Sequence, residues 1–232
     1  MRIASITPRR VPEWLAPTGL ILLSLIPVLA GAARLTELTG GPTITPQNAR
    51  FIVSPVPVVI HIVSATTFSL VGAFQFVPSL RSRAPRWHRF AGRILAPAGI
   101  LVALSGLWMA VFYSLPPGDG PLLLVFRVIF GTAMLTTIVL ALLAIRQRAF
   151  DRHGAWMTRA YALGVAAGTQ PIVLGIWISA VGPTDEFSRT MLMGAAWMIN
   201  LGVAEIVIRR RAQLTLMRRA TAITDRRRLS RA

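Results

Sequence analysis

This chain has few side chains with which to do chemistry. It carries three histidines, no cysteine, and eight acidic residues against 25 basic ones. Without cysteine there are no disulfides, iron–sulfur clusters, thiolate zinc sites or redox thiols. A metal or cofactor site therefore has to draw on His61, His88, His153 and a few carboxylates. His88 stands in Trp87-His88-Arg89-Phe90-Ala91-Gly92-Arg93, and His153 in Arg152-His153-Gly154-Ala155-Trp156-Met157-Thr158-Arg159. Two imidazoles on different helices are the axial pair of a b-type haem, and arginines such as Arg89, Arg93 and Arg159 suit its propionates. The same groups suit the head of a quinone or of an anionic lipid. Two histidine-ligated haems need four axial histidines, so His88 and His153 serve one haem at most. A plainer reading competes: Trp87 and Trp156 anchor at the membrane interface while histidine and arginine contact lipid phosphate.

The elements that position these residues follow from composition. Of the 232 residues 54% are hydrophobic and only 14% charged, more apolar side chain than a soluble domain of this length covers comfortably. The apolar residues are grouped in six runs, near 15–33, 55–77, 94–115, 122–145, 158–181 and 191–208. Runs of about twenty match the roughly 30 Å hydrocarbon core of a bilayer. Lipid offers no partner to free amides, so the runs are predicted to be helices. The expected fold is all-α, a six-helix transmembrane bundle, with an N-terminal segment at 1–14, a membrane domain at 15–208 and a basic tail at 209–232.

All 25 basic residues are arginine, as one codon bias would produce, and the formal charge is +17. Their placement is topological. With six spans, 21 arginines fall on one side and three on the other (Arg34, Arg50 and Arg189), with Arg127 inside the fourth run. The positive-inside rule puts the arginine-rich side and both termini in the cytoplasm. The expected location is the cytoplasmic membrane of a bacterium. The charge is accounted for by topology, so no nucleic-acid partner is expected. The tail mixes Leu214, Leu216 and Met217 with arginines and reads as a segment lying on anionic lipid. Arg9 and Arg10 ahead of a run ending in Ala30-Gly31-Ala32 resemble a signal peptide, but the run has span length, and an uncleaved first helix is expected.

On this topology His61 lies about six residues, roughly 9 Å, below the outer surface. Arg127 lies at a similar depth, and the two are candidates to face one outer cavity. The alternative has Arg127 snorkelling outward and His61 bonding a neighbouring helix. Arg89 and Arg93, four residues apart, share a helix face at the inner end. Gln75, Asn200 and Glu205 fall in the same half of the bundle, and Glu205 is a candidate to neutralise Arg93 or Arg159. Intramembrane polar groups of this kind are costly and are functional candidates by default. Gly99, Ser105, Gly106, Gly164 and Gly168 read as close-packing positions. Pro27, Pro97 and Pro171 bend their spans. The turn at 116–121 is a tight hairpin, and the loop at 34–54 is placed to cover the outer mouth of the bundle. There is no Walker loop, dinucleotide fingerprint, HExxH or serine elbow.

The chain resembles a family of predicted bacterial membrane proteins classed as a domain of unknown function. The resemblance runs over about 51–208. It is carried by His61-Ile62, Gly72, Gln75-Phe76, Pro78, Arg81, His88-Arg89, Gly92-Arg93, Ser105-Gly106, His153, Trp156-Met157, Arg159, Tyr161-Ala162, Trp197, Asn200 and Glu205. It implies a compact multipass bundle in which the three histidines and the Arg, Asn and Glu positions belong to the family pattern. It supplies no activity. Two departures stand out: Phe90 where the family often has tryptophan, and Gln170 where a basic residue is expected.

Three function classes follow. The first is a cofactor-binding protein with haem b or quinone at His88 and His153. The second is a small carrier or anionic-lipid-binding protein using His61 and Arg127. The third is an assembly subunit without chemistry of its own. The depth difference between His61 and the other two histidines argues against a single three-histidine metal site.

Overall fold

The structure, a computed structural model, describes residues 12–41 and 43–229. Arg2, Arg9, Arg10 and Arg231, and most of the segment at 1–14, lie outside the described residues. Every regular element among the described residues is helical: α1 (Leu15–Thr39), α2 (Ala49–Val53), α3 (Pro55–Ala73), α4 (Pro78–Arg83), α5 (Pro85–Phe112), α6 (Pro121–Arg146), α7 (Phe150–Gly164), α8 (Ala166–Ala180) and α9 (Glu186–Leu229). A single 3-10 turn, Phe74–Phe76, links α3 to α4.

Proline sets where four of these helices begin. Pro55, Pro78, Pro85 and Pro121 occupy the first turn of α3, α4, α5 and α6. A missing N–H costs nothing there and the fixed φ favours the helix. α9 starts differently. The Ser188 amide donates to the Asp185 carboxylate at 2.7 Å, and the Ser188 hydroxyl accepts from the Asp185 amide at 3.1 Å. This reciprocal cap satisfies amides that a helix start leaves without partners.

Five helices are long and apolar enough to cross a membrane: α1, α3 with its following turn, α5, α6 and α9. The pair α7 and α8, bent by 45° at Val165, passes the same test as one broken span. The chain is therefore an all-α membrane protein with five spans, or six counting the broken one. The outward faces carry Leu22, Leu29, Val111, Ile129 and Val203, all well exposed, as a hydrocarbon solvent requires.

α5 runs nine residues ahead of its apolar run because Pro85 starts the helix within a polar, arginine-rich segment. α7 likewise begins at Phe150, so His153 is inside the helix rather than ahead of it. α9 continues through the basic residues beyond 208 as one helix, so no break separates the predicted tail from the last span. The broken span is held by Asn200 of α9. Its Nδ2 donates to the Ala162 carbonyl at 3.1 Å, and its Oδ1 accepts from the Thr169 hydroxyl at 2.8 Å. One amide thus ties together both sides of the bend, where helical hydrogen bonding is interrupted.

The core is a layer of Phe68, Leu95, Val102, Met134, Ile138, Tyr161 and Leu163. The buried Tyr161 hydroxyl donates to the Ser69 carbonyl at 2.6 Å. At Gly168 a Cβ would lie 2.0 Å from the Leu23 carbonyl oxygen, so glycine lets α8 touch the backbone of α1. The core layer separates two cavities, one near each end of the bundle.

Candidate functional site

The larger cavity, about 910 Å³, opens at the arginine-rich end. The turn after α3, α4, the first turns of α5 and α7, and α9 enclose it. His88 is the fourth residue of α5, and His153 is the fourth residue of α7. The backbone amide of each bonds the carbonyl of the residue just before its helix, His88 to Ala84 at 3.2 Å and His153 to Ala149 at 2.9 Å. Both imidazoles line this cavity, so the matching placement of two histidines on arginine-rich helix starts is a structural fact.

The His153 Nδ1 lies 2.9 Å from the Ala141 carbonyl oxygen of α6. A carbonyl only accepts, so Nδ1 carries a proton, and in the neutral ring Nε2 keeps its lone pair. His88 has the guanidinium groups of Arg81 and Arg89 and the imidazole of His153 as its ionisable neighbours. Arg81, Arg89, Arg93 and Arg211 line the cavity with the single carboxylate of Asp151. The first turns of α5 and α7 add partial positive charge. Gln75 also lines the cavity, and its buried Nε2 has no acceptor among the described residues. A buried donor without an acceptor is costly, so this Nε2 is available to whatever acceptor occupies the cavity.

The structure thus brings together His88, His153, Arg89, Arg93 and Gln75 of the sequence-derived candidates. It does not bring Arg159, Asn200 or Glu205 to the cavity. Arg159 forms a two-bond ion pair with Glu205, at 2.5 Å and 3.1 Å, and lies over the Trp156 ring at 4.5 Å. Glu205 therefore neutralises Arg159, and Asn200 holds the bend between α7 and α8. Arg81, Arg211, Thr158 and Tyr161 are lining residues that the sequence did not single out as a site. Arg81 lies on a helix of only six residues, and Arg211 lies past the apolar part of α9.

The smaller cavity, about 360 Å³, lies at the other end, beside the hairpin joining α5 to α6. His61 and Arg127 both line it. The Ser105 hydroxyl donates to the Leu101 carbonyl, so it accepts from the His61 Nδ1 at 3.1 Å. Arg127 does not snorkel freely. It bonds Asp119 of the hairpin, whose side chain is only 1% exposed and which also holds Arg189 of α9 at 2.8 Å. Arg50, Tyr113, Gln170 and Trp197 complete the polar and aromatic lining. Part of the loop at 34–54, through Arg50 and Phe51, does line this cavity. Among the described residues no group of three or more His, Asp or Glu is placed to hold a metal ion.

The family described as "Predicted membrane protein (DUF2306)" matches residues 58–208, well over half of the chain. The chain belongs to this family. The matched segment contains His61, Gln75, His88, Arg89, Arg93, Arg127, His153, Arg159, Asn200 and Glu205, while Arg50 and Arg211 fall outside it. The family description extends to membrane residence and no further. No curated protein and no solved structure matches the chain.

Proposed function

We propose that this DUF2306 protein binds one b-type haem in the cavity at the arginine-rich end, where the imidazoles of His88 and His153 would hold its iron. The observation that carries this reading is that the two histidines, from equivalent positions on two helices, line one cavity. The donor set fits the group. His153 is oriented through its Nδ1–H to the Ala141 carbonyl, the outer-shell contact common among metal-ligating histidines, and its Nε2 is free to ligate. Arg81, Arg89, Arg93 and Arg211 offer forked donors for two propionates. Phe68, Leu95, Met157 and Tyr161 supply the apolar wall. Bound here, the haem would supply one-electron chemistry. The protein's part is to hold its ligand set, to bind its carboxylates and to limit water through the Phe68–Tyr161 layer.

The arginine distribution supports an orientation with the haem end and both termini in the cytoplasm, in the cytoplasmic membrane. The basic continuation of α9 suits anionic lipid headgroups there. A quinone is the natural redox partner class for a membrane haem.

A second reading rests on the surplus of guanidinium groups. Four arginines against one carboxylate exceed what two propionates need, and they suit an anionic lipid headgroup. Haem content after purification from haem-replete cells distinguishes the two. Stoichiometric haem in the parent protein, lost in His88→Ala and in His153→Ala, supports the first. Haem-free protein with copurified anionic lipid supports the second.

A further inference from the structure

We propose that the cavity at the hairpin end is a second site, one that takes a small monocarboxylate with an apolar body. This site is separate from the haem reading, because it uses different residues at the opposite end of the bundle.

The argument begins with Arg50, on the short α2. Its Nη1 is buried and has no hydrogen-bond acceptor among the described residues, although the guanidinium rests over the Phe51 ring at 4.5 Å. Arg50 lines the cavity. The neighbouring cations each have a carboxylate partner already. Arg34 pairs with Glu37, while Arg127 and Arg189 share Asp119. Among the described residues Arg50 is in no ion pair, and the Asp119 carboxylate that attracts it is already shared by two arginines, so positive charge is in surplus beside this half-open cavity. A buried guanidinium donor lacking an acceptor is destabilising, and a bound carboxylate would accept from it and balance the charge.

The rest of the lining sets the ligand's shape. Ala65, Val102, Phe130, Met134, Leu163 and Trp197 form the inner wall, and Phe130 and Trp197 stack at 4.7 Å. The space is closed toward the haem-end cavity by Phe68, whose ring would lie 2.9 Å from a Cβ at Gly164. A cavity of about 360 Å³ with cations at its mouth and an apolar interior takes an organic acid rather than a hydrated inorganic ion. His61 offers its Nε2 lone pair, because Nδ1 donates to Ser105. Gln170 offers an amide, so both halves of a short polar substituent on the body have partners.

The test is calorimetric titration of the full chain in nanodiscs of neutral lipid. The titrants are butanoate, hexanoate, hexanamide, palmitate and inorganic phosphate, and each is also added to Arg50→Gln and Ala65→Leu. The expected result is binding of hexanoate but not of hexanamide. Arg50→Gln, which changes a half-buried residue on a short helix outside the spans, should weaken hexanoate binding by about tenfold or more. Ala65→Leu shortens the apolar end and should shift preference from hexanoate to butanoate. Equal binding of hexanamide, binding of phosphate as tight as that of hexanoate, or unchanged affinity in Arg50→Gln would overturn the proposal. Palmitate bound in place of the short acids would overturn a small soluble acid as the occupant and assign a membrane fatty acid instead.

Discussion

The Nδ1 of His153 lies 2.9 Å from the carbonyl oxygen of Ala141, across the interface of α7 and α6. This contact fixes the proton on Nδ1 and leaves Nε2 as the only atom of the ring able to ligate. His153→Asn keeps an N–H for the Ala141 carbonyl but removes the imidazole lone pair. The expected outcome is a folded protein, within about 1 kcal/mol of the parent, that on the proposed haem reading purifies without haem. Melting temperature and haem content in detergent check the two halves separately.

Asp119 accepts from Arg127 and Arg189 while almost fully buried. It therefore pins the α5–α6 hairpin to the start of α9. Asp119→Ala leaves two partly exposed guanidinium groups without their shared partner. The expected loss is on the order of 2–3 kcal/mol, seen as a lower melting temperature. Arg189→Gln alone should cost less, because Arg127 still compensates the carboxylate.

Gly168 marks where α8 meets the backbone of α1. The Leu23 carbonyl cannot rotate away as a side chain would, so Gly168→Ala must push the helices apart. The expected cost is about 1–3 kcal/mol, seen as a lower melting temperature in detergent. Gly154→Ala is the matched control, since a Cβ there meets nothing within 4 Å.

Asp185 caps α9 in the loop after the broken span. Hydrogen bonds from the Ser188 hydroxyl and amide hold its carboxyl below the ordinary carboxylate range. A depressed folded value means that the stabilisation is fully present above the ordinary carboxylate value of 3.8 and is lost as pH falls through the folded value. Amide exchange at Ser188 and Arg189 should therefore speed up on acidification, relative to amides in mid-α9. Asp185→Asn should flatten that difference, because an asparagine cap does not titrate.

The membrane spans were legible because hydrocarbon leaves the backbone no alternative to helix, so run length alone located α1, α3, α5, α6 and α9. Hydropathy could not see where α5 and α7 begin, since their first turns are polar and arginine-rich, and it read the broken span as continuous. The pairing of His88 with His153 was legible from their shared position beside arginine-rich helix starts. The exclusion of Arg159 was legible too, had rotation been counted: six residues at about 100° each carry it roughly 240° around α7 from His153, onto another face. Asn200 and Glu205 show the same limit, since depth in a span says nothing of facing. Arg50 and Arg211 gave no sequence signal as site residues, and Arg81 stood out only as part of the family pattern. They lie on short helices or beyond the apolar part of α9, and only the packing brings them to a cavity.

The most direct test of the account is the dithionite-reduced minus oxidised absorbance spectrum of the purified protein, taken from cells supplied with ample haem. The account predicts a Soret band that sharpens and shifts on reduction and is absent from His88→Ala, from His153→Ala and from His153→Asn. A featureless spectrum from folded parent protein, or a band that persists in all three variants, would contradict it.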